Sequence, residues 1–218
     1  MLDEKAATGV ALITVDADGQ NTIVVASGAN QRLSVEDIQS ATDVFAKAKV
    51  LVTQLESPLK TVKAALSLAR EYHLPVILNP APAIALDTDL LAMVDYLIPN
   101  EHEVLLLAGE NTLENAINKL LSIGVSNLII TLGDKGVWII SAGARKHIPA
   151  HAVKAIDTVA AGDAFVGAFA TALAEGLEVE QAVCLGNAAA AISVTRRGAQ
   201  PSIPNRKEVE MFLDAQKK

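Results

Sequence analysis

Asp157-Thr-Val-Ala-Ala-Gly-Asp-Ala-Phe165 sets both the fold and the chemistry of this chain. Ala160, Ala161 and Gly162 stand where a loop runs into an alanine-rich helical segment. Side chains that small leave the backbone N–H groups open. At a helix N-terminus such groups converge on an anion, helped by the positive end of the helix dipole. Asp163 follows at the start of the helix. Its carboxylate cannot bind phosphate, but it can take a proton from a hydroxyl that attacks a nearby phosphoryl group. The same stretch also suits an ordinary capped helix, because aspartate is a favoured N-cap and small residues ease helix entry.

Outward from that stretch the chain alternates strand-like and helix-like segments with short turns, the pattern of a layered α/β fold. Residues 8–15 and 21–26 flank Asp18-Gly19, a tight-turn pair, and read as a β-hairpin. A helix starts at Ser34, where Ser34 and Asp37 form a capping-box pair and Val35, Ile38, Ala41 and Phe45 recur at helical spacing. A buried strand follows at 50–53. Ser57 then serves as N-cap with Pro58 at the first helical position, and Leu59, Val62, Leu66 and Ala69 share a face. Strands are expected at 76–78, 96–98 and 128–131, with helices near Leu90 and from Thr112 to Gly124. Residues 136–140 and 145–148 form a second hairpin. Two alanine-rich helices cover 163–174 and 181–194, and Gly167, Ala168 and Ala188 to Ala191 let them pack closely. A last amphipathic helix begins near Asn205.

Composition narrows the function classes. Of 218 residues, 51% are hydrophobic and 20% charged, which supplies a large core and excludes a disordered chain. Eighteen Lys and Arg against 25 Asp and Glu leave a net charge of −7, so a general nucleic-acid binder is not expected. A small phosphorylated ligand remains possible, since a few local donors hold it. The single cysteine, Cys184, rules out an internal disulfide framework and a zinc knuckle, and reads as a small core residue. No apolar run reaches membrane-spanning length and the start lacks an apolar leader, so a cytoplasmic protein is expected.

Three other segments could carry chemistry. Thr131-Leu132-Gly133-Asp134-Lys135-Gly136 follows a strand, where α/β folds bind nucleotides, but it has neither the Walker A nor the dinucleotide spacing and, read alone, is more simply an ordinary turn. Pro99-Asn100-Glu101-His102-Glu103 could position a hydrated Mg²⁺, or could simply be a solvated helix start. Glu56, in Gln54-Leu-Glu-Ser-Pro58, lies at a strand's carboxyl end. His147 and His151 are separated by Pro149 and do not share a helix face, and no zinc-type ligand set is present. No Gly-x-Ser-x-Gly elbow points to a hydrolase.

Taken in order, TGVALITVDADGQNTIVVASGAN, QLESP, LNPAPA, PNEHE, TLGDKGVW, DTVAAGDAFVGAF and AAAAISVTRRGAQPSIP resemble the ribokinase-like (PfkB) carbohydrate kinase family over nearly the whole chain. The resemblance implies a three-layer α/β/α fold with a mostly parallel central sheet. It implies ATP-dependent phosphorylation of D-ribose, or of another pentose or a nucleoside, with ATP, Mg²⁺ and K⁺. Asp163 then matches the catalytic base, and the amides of Ala160, Ala161 and Gly162 match the anion hole. Thr131 to Gly136 and Asn187 match nucleotide contacts. Asn100 and Glu103 match a motif that organises Mg²⁺ and phosphates, and Glu56 matches an acid of the sugar pocket. Asp157, Val159, Ser193, Arg196, Gly198 and Ser202 match a potassium site, several of them through backbone carbonyls.

The chain departs from the family pattern at its start. Neither the usual Asp-containing sugar motif nor a Gly-Gly-Lys-Gly-Ala-Asn segment is present, so it opens where a typical member is already about a third complete. Residues 1–27 are then the residual hairpin of a lid that often mediates dimerisation, and 28–218 the α/β nucleotide-binding and catalytic domain. An uncovered sheet edge is expected, with nucleotide contacts better represented than sugar contacts. A nucleotide-binding remnant without catalysis is the alternative.

Overall fold

The computed structural model describes residues 3–15, 21–141 and 143–216. Strands β1 (Thr8–Val15) and β2 (Asn21–Gly28) pair antiparallel as a separate two-stranded sheet. The expected Asp18-Gly19 turn lies outside the described residues. Gly28 closes the base of the hairpin at φ 50°, where a Cβ would meet the Ala7 carbonyl oxygen at 2.3 Å. Glycine is the residue that accepts both demands. Val10, Leu12, Val24 and Val25 are exposed.

The expected single helix from Ser34 is two helices, α1 (Val35–Gln39) and α2 (Thr42–Phe45). The capping box between Ser34 and Asp37 is present. The break falls at Ser40, whose hydroxyl donates to the Asp37 carbonyl at 2.8 Å. Serine offers the backbone such an alternative partner and so ends a helix readily.

After β3 (Leu51–Thr53) comes α3 (Leu59–Glu71), with Pro58 and not Ser57 at the N-cap. Pro58 has ψ 132°, outside the helical region, and its carbonyl takes the amides of Thr61 and Val62. The helix thus starts one residue later than expected. The chain continues through β4 (Val76–Leu78), α4 (Thr88–Leu91), β5 (Tyr96–Leu97), α5 (Glu101–Ala108), α6 (Leu113–Ser122) and β6 (Asn127–Thr131). A hairpin of β7 (Val137–Ser141) and β8 (Ala144–Ile148) precedes α7 (Ala161–Ala174), α8 (Val179–Ser193) and α9 (Arg206–Gln216).

The main sheet has six strands in the order β3-β4-β5-β6-β7-β8; β3 to β6 run parallel and the last two pairings are antiparallel. Successive side chains along a strand point to opposite faces. Val76 and Leu78, Leu97, Leu128 and Ile130 therefore pack with the helices of one layer, among them Leu66 and Ala69 of α3 and Ile117 and Leu120 of α6. Ile77, Ile98 and Ile129 face the other way, onto Phe165 and Phe169 of α7, Ala188 of α8 and Val209 of α9. The result is three layers, α/β/α.

Close packing of α7 on α8 rests on Gly186, where a Cβ would fall 2.9 Å from the Phe165 ring. Ala188, Ala189 and Ala191 are buried as expected, but Gly167 is exposed and a Cβ there would meet nothing within 4 Å. Among the described residues β3 pairs only with β4, and Val52 is 42% exposed, so the strand expected to be buried at 50–53 is a half-exposed edge strand with one face uncovered. No helix among the described residues is long and apolar enough to cross a membrane.

Candidate active site

Strands β3 to β6 are parallel, so their carboxyl ends open on one side of the sheet, the side where α/β folds bind ligands. A cleft of about 240 Å³ lies there. Gln54, Glu56, Asn79, Asn100, Glu103 and Thr131 from the strand ends line one side, and Thr158, Ala160, Ala161, Gly162 and Asp163 from the α7 entry line the other. Ala160, Ala161 and Gly162, expected to form an anion hole, thus come together with Asp163, Glu56, Asn100, Glu103 and Thr131.

The α7 entry has an unusual backbone. Ala160, its N-cap, sits in the left-handed region at φ 60°. An L-residue pays for this conformation, so its presence points to a local task. Ala161 N donates to the Thr158 carbonyl at a long 3.3 Å, and Ala164 N makes the first helical bond, to Ala160 O at 2.8 Å. Among the described residues the amides of Ala160, Gly162 and Asp163 meet no acceptor. Gly162 has no packing reason to be glycine, since a Cβ there would meet nothing within 4 Å. Unpartnered amides that open onto a cleft suit an anion.

Asp163 is not the helix cap; it occupies the third helical position. In α1, α5, α8 and α9 the side chain at that position, Asp37, Glu103, Gln181 and Glu208, folds back onto the N-cap amide. Asp163 does not. Its carboxylate is exposed to the cleft and accepts a hydrogen bond from Gln54 Nε2 at 3.4 Å. A carboxylate held this way is available to take a proton.

Asn100 caps α5. Its Oδ1 accepts the amides of His102 and Glu103 at 2.9 and 2.8 Å, and Glu103 Oε2 accepts the Asn100 amide at 2.8 Å. Burial pushes the Glu103 carboxyl above its usual value, against the lowering effect of that amide. Among the described residues no group of three His, Cys, Asp or Glu side chains converges on a metal position. The oxygens here fit a divalent cation held mainly by water and phosphates.

Thr131 enters the cleft, and Leu132 to Gly136 turn away from it through a 3₁₀ turn at 133–135. Gly136 has φ 97°, and a Cβ on it would fall 2.1 Å from the Ile148 carbonyl, so this turn demands glycine. Asn187, buried in α8, donates to the Pro149 carbonyl at 2.8 Å, beside that same segment. Asp134 and Lys135 stand on the turn; Lys135 Nζ lies 3.6 Å from Glu101.

The residues expected around a potassium ion are also assembled. Asp157 accepts the amides of Val159 at 3.0 Å and Gly198 at 2.9 Å. The buried Ser193 and Ser202 hydroxyls are 2.8 Å apart, and Arg196 N donates to Ser193 O at 2.9 Å. The carboxylate of Asp157 and the hydroxyl and carbonyl oxygens at these positions are of the kind that suits a hard cation. The Arg196 side chain leaves it for Glu208.

The amides of Gly198 and Val159 hold the Asp157 carboxyl below its usual value of 3.8. A carboxyl depressed on folding stabilises the fold above the unfolded value and loses that contribution as the pH falls through the folded one. Asp157→Asn should therefore lower the melting temperature at neutral pH. The gap to the unsubstituted chain should close as the pH drops below 3.8. Melting curves across that range check this; a pH-independent gap contradicts it.

Three polar lining residues had no role assigned from sequence, Gln54, Asn79 and Thr158. Gln54 directly follows β3 and Asn79 directly follows β4, which was the available signal. Asn79 Nδ2 donates to Ile98 O at 2.8 Å, which fixes its amide at the cleft floor.

The model of the pfkB family carbohydrate kinases matches residues 1–206. A ribokinase of Staphylococcus aureus is 42% identical over 211 residues, covering 94% of this chain and 69% of the relative. A ribokinase structure from Thermotoga maritima superposes with TM-score 0.86 at 47% identity, over 96% of this chain and 70% of that one. Arabidopsis thaliana ribokinase complexed with ribose and ATP superposes with TM-score 0.85 at 31% identity, over 96% and 70%. With the family model matched over residues 1–206 and a relative 42% identical over 69% of its own length, the chain belongs to the pfkB family of carbohydrate kinases, ATP-dependent enzymes that phosphorylate sugars.

Proposed function

We propose that this chain transfers the γ-phosphoryl group of ATP to the primary hydroxyl of D-ribose. The observation that carries this reading is the withheld carboxylate of Asp163 beside the unpartnered amides at the α7 entry. Asp163 takes the proton of the attacking hydroxyl as the new O–P bond forms. The amides of Ala160, Ala161 and Gly162, joined by that of Asp163, hold the charge of the transferring group. Positioning and charge stabilisation are most of what phosphoryl transfer needs. Glu56 faces the sugar. Thr131 to Gly136 and Asn187 form the nucleotide side.

Asn100 and Glu103 would organise the hydrated Mg²⁺ that accompanies ATP, which supplies charge neutralisation at the phosphates. Asp157 with the carbonyls of Val159, Ser193, Arg196, Gly198 and Ser202 would hold K⁺, which shapes the α7 entry. Residues 1–27 serve as a lid through which two copies associate, and residues 28–218 as the catalytic unit. The cytoplasm, where ATP is made available, is the proposed location.

The direct experiment incubates the chain with ATP, Mg²⁺, K⁺ and ribose and follows ribose 5-phosphate. Accumulation of that product supports the assignment, and its absence alongside intact ATP binding contradicts it. A second reading, nucleotide binding without transfer, is favoured by the exposure of Glu56 and Asp163 and by the free edge at β3. Calorimetric titration separates the two: binding of ATP but not of ribose selects the second.

A further inference from the structure

The geometry points to Gln54 as the positioning residue of Asp163, an inference that rests on the proposed role of Asp163 as base. Gln54 and Asp163 are 109 residues apart, and both stand on rigid mounts. Gln54 leaves β3 directly after Thr53, and the next residue, Leu55, is buried and donates its amide to the Ala81 carbonyl at 3.0 Å. Asp163 is fixed in the first turn of α7 by the Ala164–Ala160 bond. The Asp163 side chain has no capping duty, and among the described residues Gln54 is its one hydrogen-bond donor. Without that donor the exposed carboxylate would sample several rotamers, and an attacking hydroxyl would meet the correct one only part of the time.

The chemistry of the amide fits the task. Gln54 Nε2–H donates to Asp163 Oδ1, which leaves Oδ2 as the oxygen that faces the acceptor hydroxyl. The cleft also holds the carboxylates of Glu56 and Glu103. A lysine or arginine at position 54 would form an ion pair and make Asp163 a poorer base, and a glutamate would repel it. A neutral donor orients the carboxylate without adding charge. The 3.4 Å separation is at the long end for a hydrogen bond, as catalytic contacts are before substrate tightens them.

Two substitutions test this. Gln54→Leu keeps the volume and removes the donor; Gln54→Glu keeps the shape and replaces the donor with an acceptor. Both are expected to lower kcat about tenfold or more, with KM for ATP within about twofold, because misplacement of a reacting group acts on the chemical step. The glutamate variant should be no better than the leucine variant. Wild-type kcat in Gln54→Glu would overturn the inference, since a purely structural role tolerates the isosteric change.

A measurement that needs no turnover follows the side-chain NH₂ resonances of Gln54 by NMR in the unsubstituted chain and in Asp163→Ala, which removes the acceptor. A clear displacement of those resonances supports the pairing, and unchanged resonances overturn it. Pairing seen by NMR together with full activity of Asp163→Asn would instead remove Asp163 from the role of base, so the two ideas fail separately.

Discussion

Asp163→Asn should lower kcat for ribose phosphorylation about 100- to 10,000-fold, the usual weight of a general base, with little change in KM for ATP. The substitution is nearly isosteric. The side chain is exposed and caps nothing, so the variant should melt close to the unsubstituted chain. Asparagine can still accept from Gln54 but cannot take a proton. Steady-state kinetics with ATP and ribose varied separately checks the expectation. An effect confined to KM would show that Asp163 binds substrate and does not act on the hydroxyl.

Gly162→Ala should separate folding from catalysis in the opposite sense. Gly162 lies in the second position of α7 with ordinary helical backbone, and a Cβ on it would meet no protein atom within 4 Å. Alanine in a helix is favoured over glycine by up to about 1 kcal/mol, so the variant should be as stable or more so. The added methyl enters the space beside the unpartnered amides, where the transferring group would sit. Loss of one such donor costs about 100- to 1,000-fold in kcat, and a loss of that order is expected here. Melting temperature and kcat measured on one preparation decide the matter. A stable variant with undiminished turnover would mean that the α7 entry does not hold the phosphoryl group.

Strand positions were legible because period-two burial leaves a continuous apolar run when both faces are covered, as at Val76-Ile77-Leu78 and Leu128-Ile129-Ile130. The capping box at Ser34 and Asp37 was legible for the same local reason. The break after it was not, because the pattern of Ile38, Ala41 and Phe45 survives a short interruption that keeps those side chains on one side. Pro58 at a cap and not at the first helical position is a difference of one backbone torsion, which sequence does not encode separately.

The role of Gly186 was invisible for another reason. Its need is set by Phe165, a residue of a different helix, and such a demand leaves no local mark. Around the cleft, spacing identified Asp163 as a helix-start residue but could not say whether its carboxylate would turn back to the cap. The structure resolves that alternative through its neighbour Gln54, which lies far away in sequence.

The central claim is that the amides opening α7 hold the migrating phosphoryl group within reach of Asp163. The most direct measurement records backbone amide resonances while Mg²⁺, ADP, fluoroaluminate and ribose are added together, the fluoroaluminate standing in for that group. The largest displacements are expected at Gly162 and Asp163, beyond those caused by ADP alone. Displacements elsewhere, with those two amides unmoved, would contradict it.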